Sequence, residues 1–358
     1  MLAAAWRRLS VPRYLGLVSL SFTAGTLHHM ANDAAMTPPA GEVQPGRRHA
    51  RYWLDDGSLV VRTQDDLFKV HRTLLQRHSN VVSALCEGAT QGQNGDFGGC
   101  SVVHIPEERN VSSADFETLL AHLYHDSPID SSSAFPQVAS VLRVSSAGQL
   151  DFPSIHQLAR STFEKMMPTG PEPFLQVEDP DDALTLAVDF NVYPIQKTLF
   201  YAVATHAHLD HDEPEGPSPD GSTPSTQVPD TRLTLSPALT ARCQALLNDL
   251  VAHFTPILFT VATAGHMQCT DVFAETWMPL VIQPALECSG LCRPIETLQT
   301  IIDLDWGAEG VCAKCVQEKR EEWRAEQRTV WERMDEWLGL TGLPHSSGVN
   351  ASREGKSQ

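Results

Sequence analysis

Cysteine is scarce, with eight thiols in 358 residues. That is too few for the dense cross-linking of small secreted scaffolds, so a reducing setting, cytoplasmic or nuclear, is expected. Basic charge is short as well: 26 Lys and Arg stand against 44 Asp and Glu, a formal net charge of −18. Affinity for nucleic acid rests on cations that neutralise phosphates, so no nucleic-acid partner is expected. The uncharged run Tyr14–Leu27 is interrupted by Gly, Ser and Thr and falls short of the ~20 apolar residues of a membrane span. A Gly-rich phosphate loop, a Ser-centred nucleophile elbow and a dinucleotide fingerprint are all missing. What is present argues for a globular protein. Hydrophobic residues make up 42% and charged ones 20%, too apolar for a disordered chain, and the length suggests roughly two domains.

The first residues stand apart. No acidic residue occurs from Met1 to Asn32, and Arg7, Arg8 and Arg13 precede the uncharged run. This composition fits a mitochondrial-type presequence. An extension outside the fold, with Met30 and Met36 lying just upstream of the globular part, is the preferred reading, and a membrane-associated segment is the remaining alternative. Residues 1–50 are read as an extension or targeting segment, and mitochondrial targeting follows only if residues 1–36 are retained.

From Arg51 the pattern changes. The turn signal Asp55-Asp56-Gly57-Ser58 precedes a β-rich run, Leu59–Thr63. A second turn at Gln64-Asp65-Asp66 leads to Leu67–Val70, close enough for an antiparallel hairpin. Ser79 is placed to cap the apolar segment Val81–Cys86. The stretch Glu87–Gly99 reads as a loop, and Val102–Ile105 as a third strand. Ser112 and Asp115 have capping-box spacing, Val111 and Phe116 fit a hydrophobic staple, and Phe116, Leu119, Leu120 and Leu123 mark one helical face. Helices follow over 135–149 and from Pro153 to Met166. Beyond Pro168 the pattern is wholly helical: a pair over 181–205, a stripe from Leu239 to Phe254 behind Ser236-Pro237, short helices in 257–302, and a last helix near 313–338. The Pro-, Asp- and Ser-rich segment 209–235 separates these parts as an acidic loop, and 343–358 reads as a disordered tail. In the last helix Val316, Trp323, Val330 and Trp337 recur every seven residues. Such a stripe is either a partner seam or a face packed on its own domain.

Residues 51–168 resemble a BTB/POZ domain. The matching pieces are DDGSLVV, LFKVHRTLLQRHSNVVSALC, and VVHIPE followed by VSSADFETLLAHLY. The signature F-x-V-H-[KR]-x-x-L-x-x-x-S is complete here as Phe68, Val70, His71, Arg72, Leu75 and Ser79. More widely, residues 50–342 look like the large set of fungal BTB proteins with a helical C-terminal half. The resemblance implies an α/β (α+β) BTB/POZ domain, with a small sheet and a helical cluster, over 51–168. A helical extension over 169–208 and an all-α C-terminal domain over 236–342 then follow. It also implies protein partners, either a homo-oligomer or a cullin-type ubiquitin-ligase scaffold. The polar stretch between Pro38 and Ala50 argues against dimerisation through a swapped N-terminal strand. Asp56, Phe68, His71, Arg72 and Ser79 are expected to mark the fold. The His71 ring is expected to serve a backbone acceptor, with Asp56 and Ser79 bonding local backbone donors.

Two groupings compete with a pure binding role. His206, His208, Asp210 and His211 spell H-x-H-x-D-H, the pattern by which metallo-β-lactamase-type hydrolases hold a dinuclear metal site. That motif should follow a buried strand, whereas here it ends an amphipathic helix. Cys288-x3-Cys292 and Cys312-x2-Cys315, nineteen residues apart, have a spacing that can close a tetrahedral zinc site. Ordinary packing of small apolar side chains is the alternative. The expectation is an adaptor or dimerisation module that is not an enzyme, with no catalytic, cofactor or metal role assigned to any residue. A metal-dependent hydrolase using 206–211 is the alternative.

Overall fold

A computed structural model describes residues 46–64, 66–91, 96–97, 99–168, 170, 179–206 and 235–341. It opens with a five-stranded mixed sheet: β1 (Arg47–Trp53), β2 (Leu59–Arg62), β3 (Asp66–Val70), β4 (Asp96–Phe97) and β5 (Cys100–His104), in the spatial order β1-β3-β2-β5-β4. β2 and β3 form the expected antiparallel hairpin, with Val60 opposite Lys69 and Arg62 opposite Leu67. β2 then runs parallel to β5. Leu59, Val60 and Val61 are all buried, because a central strand covered on both faces reads as a continuous apolar run. Gly57 closes the turn before β2, where a Cβ would sit 2.9 Å from the Lys69 side chain and 3.0 Å from its backbone.

The sequence reading missed two strands. β1 begins at Arg47, inside the segment set aside as an extension, and runs parallel to β3 at the sheet edge. It carries Arg47, Arg48 and Arg51 and buries only Tyr52 fully, so it has none of the alternation that marks a half-buried strand. β4 is two residues long and lies within the expected loop, whose first part is the end of a helix.

Seven helices follow the sheet's lead: α1 (Arg72–His78), α2 (Asn80–Gln91), α3 (Ser113–Leu123), α4 (Phe135–Val144), α5 (Pro153–Met166), α6 (Pro180–Asp189) and α7 (Tyr193–His206). The Ser112 hydroxyl caps α3 by accepting the Asp115 N–H at 3.0 Å, while the Asp115 carboxylate faces Arg143. Phe116, Leu119 and Leu120 form its buried face, as the spacing required. A mostly helical C-terminal region completes the chain with α8 (Pro237–Phe259), α9 (Met267–Trp277), α10 (Gln283–Glu287), α11 (Pro294–Asp303) and α12 (Ala313–Trp337). Among the described residues no helix is long and apolar enough to cross a membrane.

Two hydrophobic cores result. The larger joins the sheet, α1–α7, the first half of α8, Ile295 at the start of α11 and the end of α12. The smaller draws on Phe254 to Trp323 and gathers Phe273, Trp277, Trp306 and Trp323. α8, α11 and α12 contribute to both. Val316 and Trp323 enter the smaller core, Val330 the larger, and Trp337 packs against the larger. The seven-residue stripe is therefore spent on the protein's own interior.

Candidate functional site

The signature segment turns β3 into α1. Phe68 is fully buried between the His49 ring, at 4.5 Å, and the Phe116 ring, at 5.0 Å. His71 occupies the N-cap of α1 without a side-chain cap bond. Its backbone N–H donates to the Tyr124 hydroxyl at 3.0 Å, and its Nδ1 lies 3.0 Å from the same oxygen. Nε2 meets the Asp56 carboxylate at 3.2 Å. The expected backbone acceptor for the ring is thus replaced by two side chains, which tie the β1–β2 turn and the end of α3 to the strand-to-helix corner. The His71 contact holds the exposed Asp56 carboxyl below the usual carboxylate range. Burial raises the Tyr124 hydroxyl despite its bond from the His71 N–H.

The Arg72 backbone N–H donates to the Ser58 hydroxyl oxygen, and its Nε donates to the Gln76 side-chain carbonyl, both at 3.1 Å. The Ser79 hydroxyl caps α2 by accepting the Val82 N–H at 2.9 Å and donates to the Leu150 carbonyl. These five residues form one continuous corner in place of an open cleft.

A second grouping lies in the C-terminal region. His266 is the N-cap of α9 and Cys269 sits one turn on; Cys312 is the N-cap of α12 and Cys315 sits one turn on. In both helices the cap residue and the third helical residue converge, as they do when a capping side chain reaches the first turn. His266 Nδ1 lies 3.3 Å from Cys312 Sγ, 3.5 Å from Cys315 Sγ and 3.9 Å from Cys269 Sγ. All four ligand atoms fall within 4.8 Å of one another. Cys269 and Cys315 are buried and His266 is exposed. The backbone N–H of Cys315, with its thiol, holds the Cys312 thiol down to about 6. Burial, with the Cys312 and Cys269 thiols beside it, raises that of Cys315. Gly310 adopts φ +105° two residues before Cys312, a left-handed turn that delivers the chain to the cap.

This cluster corrects two expectations. Cys312 and Cys315 do converge with further ligands, but those ligands are His266 and Cys269. Cys288 and Cys292 lie outside the group, the former exposed. The expectation that the chain is not an enzyme is also overturned. Three thiols and an imidazole gathered this closely form a group that could hold a metal ion, and with it a capacity for metal-based chemistry. The signal that could have found the site is the paired spacing H-x2-C and C-x2-C.

The hydrolase motif finds no such setting. His206 ends α7, a helix where a strand is required, and His208, Asp210 and His211 lie outside the described residues. His253, a downstream imidazole, bonds Glu326 at 2.8 Å and takes Arg333 at 3.1 Å. On the last helix, Lys319–Glu322 and Lys314–Glu318 pair on the surface while Arg320 bonds the Ile302 and Leu304 carbonyls. This is a charge-laced face of an interior-packed helix.

Residues 52–165 match the family model of the BTB/POZ domain. The mixed sheet, the hinge at His71 and the helices behind it are therefore a BTB/POZ domain, joined to a mostly α-helical C-terminal region. Comparison with curated proteins finds no match to this chain. The presence of the domain supports a general protein-interaction role.

Proposed function

We propose that this chain is a protein-interaction adaptor whose BTB/POZ domain docks a second BTB subunit or a cullin-type ubiquitin-ligase scaffold. In this reading the helical half, as in the large fungal BTB proteins it resembles, presents a second binding surface. The observation that carries this reading is the family match over 52–165 together with the corner at Phe68–Ser79. All eight cysteines are free thiols, which fits a cytoplasmic or nuclear location.

The test uses the purified full chain. Light scattering over a concentration series should give the mass of a dimer, or titration with a purified cullin N-terminal region should give a saturable complex. A monomer at all concentrations that binds no cullin region would overturn the reading.

A further inference from the structure

The convergence of two helix starts on one point asks what holds it. A His and three Cys that merely pack together would leave thiols and an imidazole grouped on the edge of an aromatic core with no exchange of strong hydrogen bonds. The distances are instead those of ligands around a common ion. Zn–S bonds of about 2.3 Å and Zn–N bonds of about 2.0–2.1 Å in a tetrahedron place ligand atoms roughly 3.5–3.8 Å apart. The three nitrogen-to-sulfur separations here are 3.3, 3.5 and 3.9 Å. The donor set is soft, three sulfurs and one nitrogen, which suits zinc and disfavours magnesium or calcium.

The surroundings agree. α9 and α12 both point their N-termini at the cluster, and the positive ends of helix dipoles offset the excess negative charge that three thiolates bring to a divalent ion. Cys269 and Cys315 also belong to the smaller core, beside Phe273 and Val316, so an ion held there would be fastened directly to the packing of both helices. The principal rival is a redox dithiol, since Cys312-x2-Cys315 at a helix start resembles an exchange motif. Dithiol exchange, however, has no need of His266 and Cys269 both within 4.8 Å of the two thiols.

We infer that His266, Cys269, Cys312 and Cys315 bind one zinc ion, which clamps the first turn of α9 to the first turn of α12 across a separation of 42 residues between the two ligand pairs. The inference is independent of the adaptor reading, since it concerns none of the BTB residues.

The full chain, produced without a histidine tag, is analysed for bound metal by mass spectrometry. About one equivalent of zinc per chain is expected. Cys269→Ser and Cys315→Ser should reduce it to background, whereas Cys288→Ser and Cys292→Ser should retain it. Should the first pair fail to fold, cobalt added to the metal-stripped native chain serves as the second measurement. The intense absorption of tetrahedral thiolate-bound cobalt should appear and be displaced by zinc. Stripping zinc should also red-shift the emission of the tryptophans in the smaller core, with recovery on adding zinc. Metal-free protein without a cobalt signal, or a Cys312–Cys315 disulfide in the purified chain with both other groups idle, would overturn the inference. So would metal that is lost in Cys288→Ser.

Discussion

The two cores of this protein are built by different means. The larger combines a sheet with helices, draws most of its mass from Leu, Val, Ile and Phe, and is closed by side-chain caps at its corners. The smaller draws on a stretch from Phe254 to Trp323 and relies on aromatic rings: the centroids of Phe273 and Trp306 are 5.0 Å apart, and those of Trp306 and Trp323 are 5.8 Å apart. Trp306 and Trp277 satisfy their indole N–H groups on the Ile301 and Leu258 carbonyls, as buried indoles must. A core of this size has little apolar area to set against chain entropy, and natural proteins of that size commonly add a metal or another staple. That the His-Cys cluster sits on the smaller core, and the Asp56–His71–Tyr124 corner on the larger, follows this division.

The division is incomplete, because α8, α11 and α12 contribute to both cores. Pro256 lies inside α8 between Phe254 and Leu258, both members of the smaller core; it removes a backbone donor at that point. The largest effects should test whether the cores melt together. Phe68→Ala empties the larger core and Trp306→Ala the smaller, each by about 3–5 kcal/mol. Because three helices are shared, both substitutions should lower one common transition in urea followed by tryptophan emission and far-ultraviolet dichroism. Separate transitions, each moved by only one substitution, would show the cores to be independent.

A middle-sized effect probes the seam. Tyr201, fully buried on α7, donates its hydroxyl hydrogen to Glu296 and accepts the Ile295 N–H on α11. Burial, reinforced by the Glu296 charge, pushes its phenol well above the ordinary range. Tyr201→Phe strands the carboxylate without this donor and should cost about 1–3 kcal/mol, measured by the same urea titration. A cost near zero would mean the seam is held by packing alone.

The smallest effect concerns the corner of the larger core. The folded Asp56 carboxyl titrates below its usual value because of His71. Its contribution is therefore present above the unfolded carboxylate range and is lost as pH falls through the folded value. Asp56→Asn should lower stability slightly at neutral pH, where the carboxylate contributes, leave it unchanged in strong acid, and so flatten the acid limb of the stability curve below about pH 4. An unaltered acid limb would assign His71 a partner other than Asp56.

Much of the larger core was legible in the chain. Phe68, Val70, Leu75 and Ser79 recur at spacings that a strand followed by a capped helix requires, and Ser112, Ser236 and Pro153 mark helix starts where helices do begin. β1 was not legible: Arg47, Arg48, His49 and Arg51 carry no apolar alternation, and the strand forms only because β3 offers it an edge. The His71 partners were also hidden, since Tyr124 lies 53 residues away along the chain. The zinc reading from sequence chose Cys288 and Cys292 by nearness. His266 and Cys269 fell in a stretch read only as short helices over 257–302.

What the sequence alone determined, then, is everything set by neighbours within a few residues: the alternation of β2 and β3, the caps, the amphipathic faces, and so the BTB/POZ domain with helices after it. Only the tertiary structure decided which faces share a core and which thiols meet an imidazole. Those outcomes depend on how α8, α11 and α12 cross, and crossing is fixed by the summed packing of residues far apart in the chain, which no local spacing records.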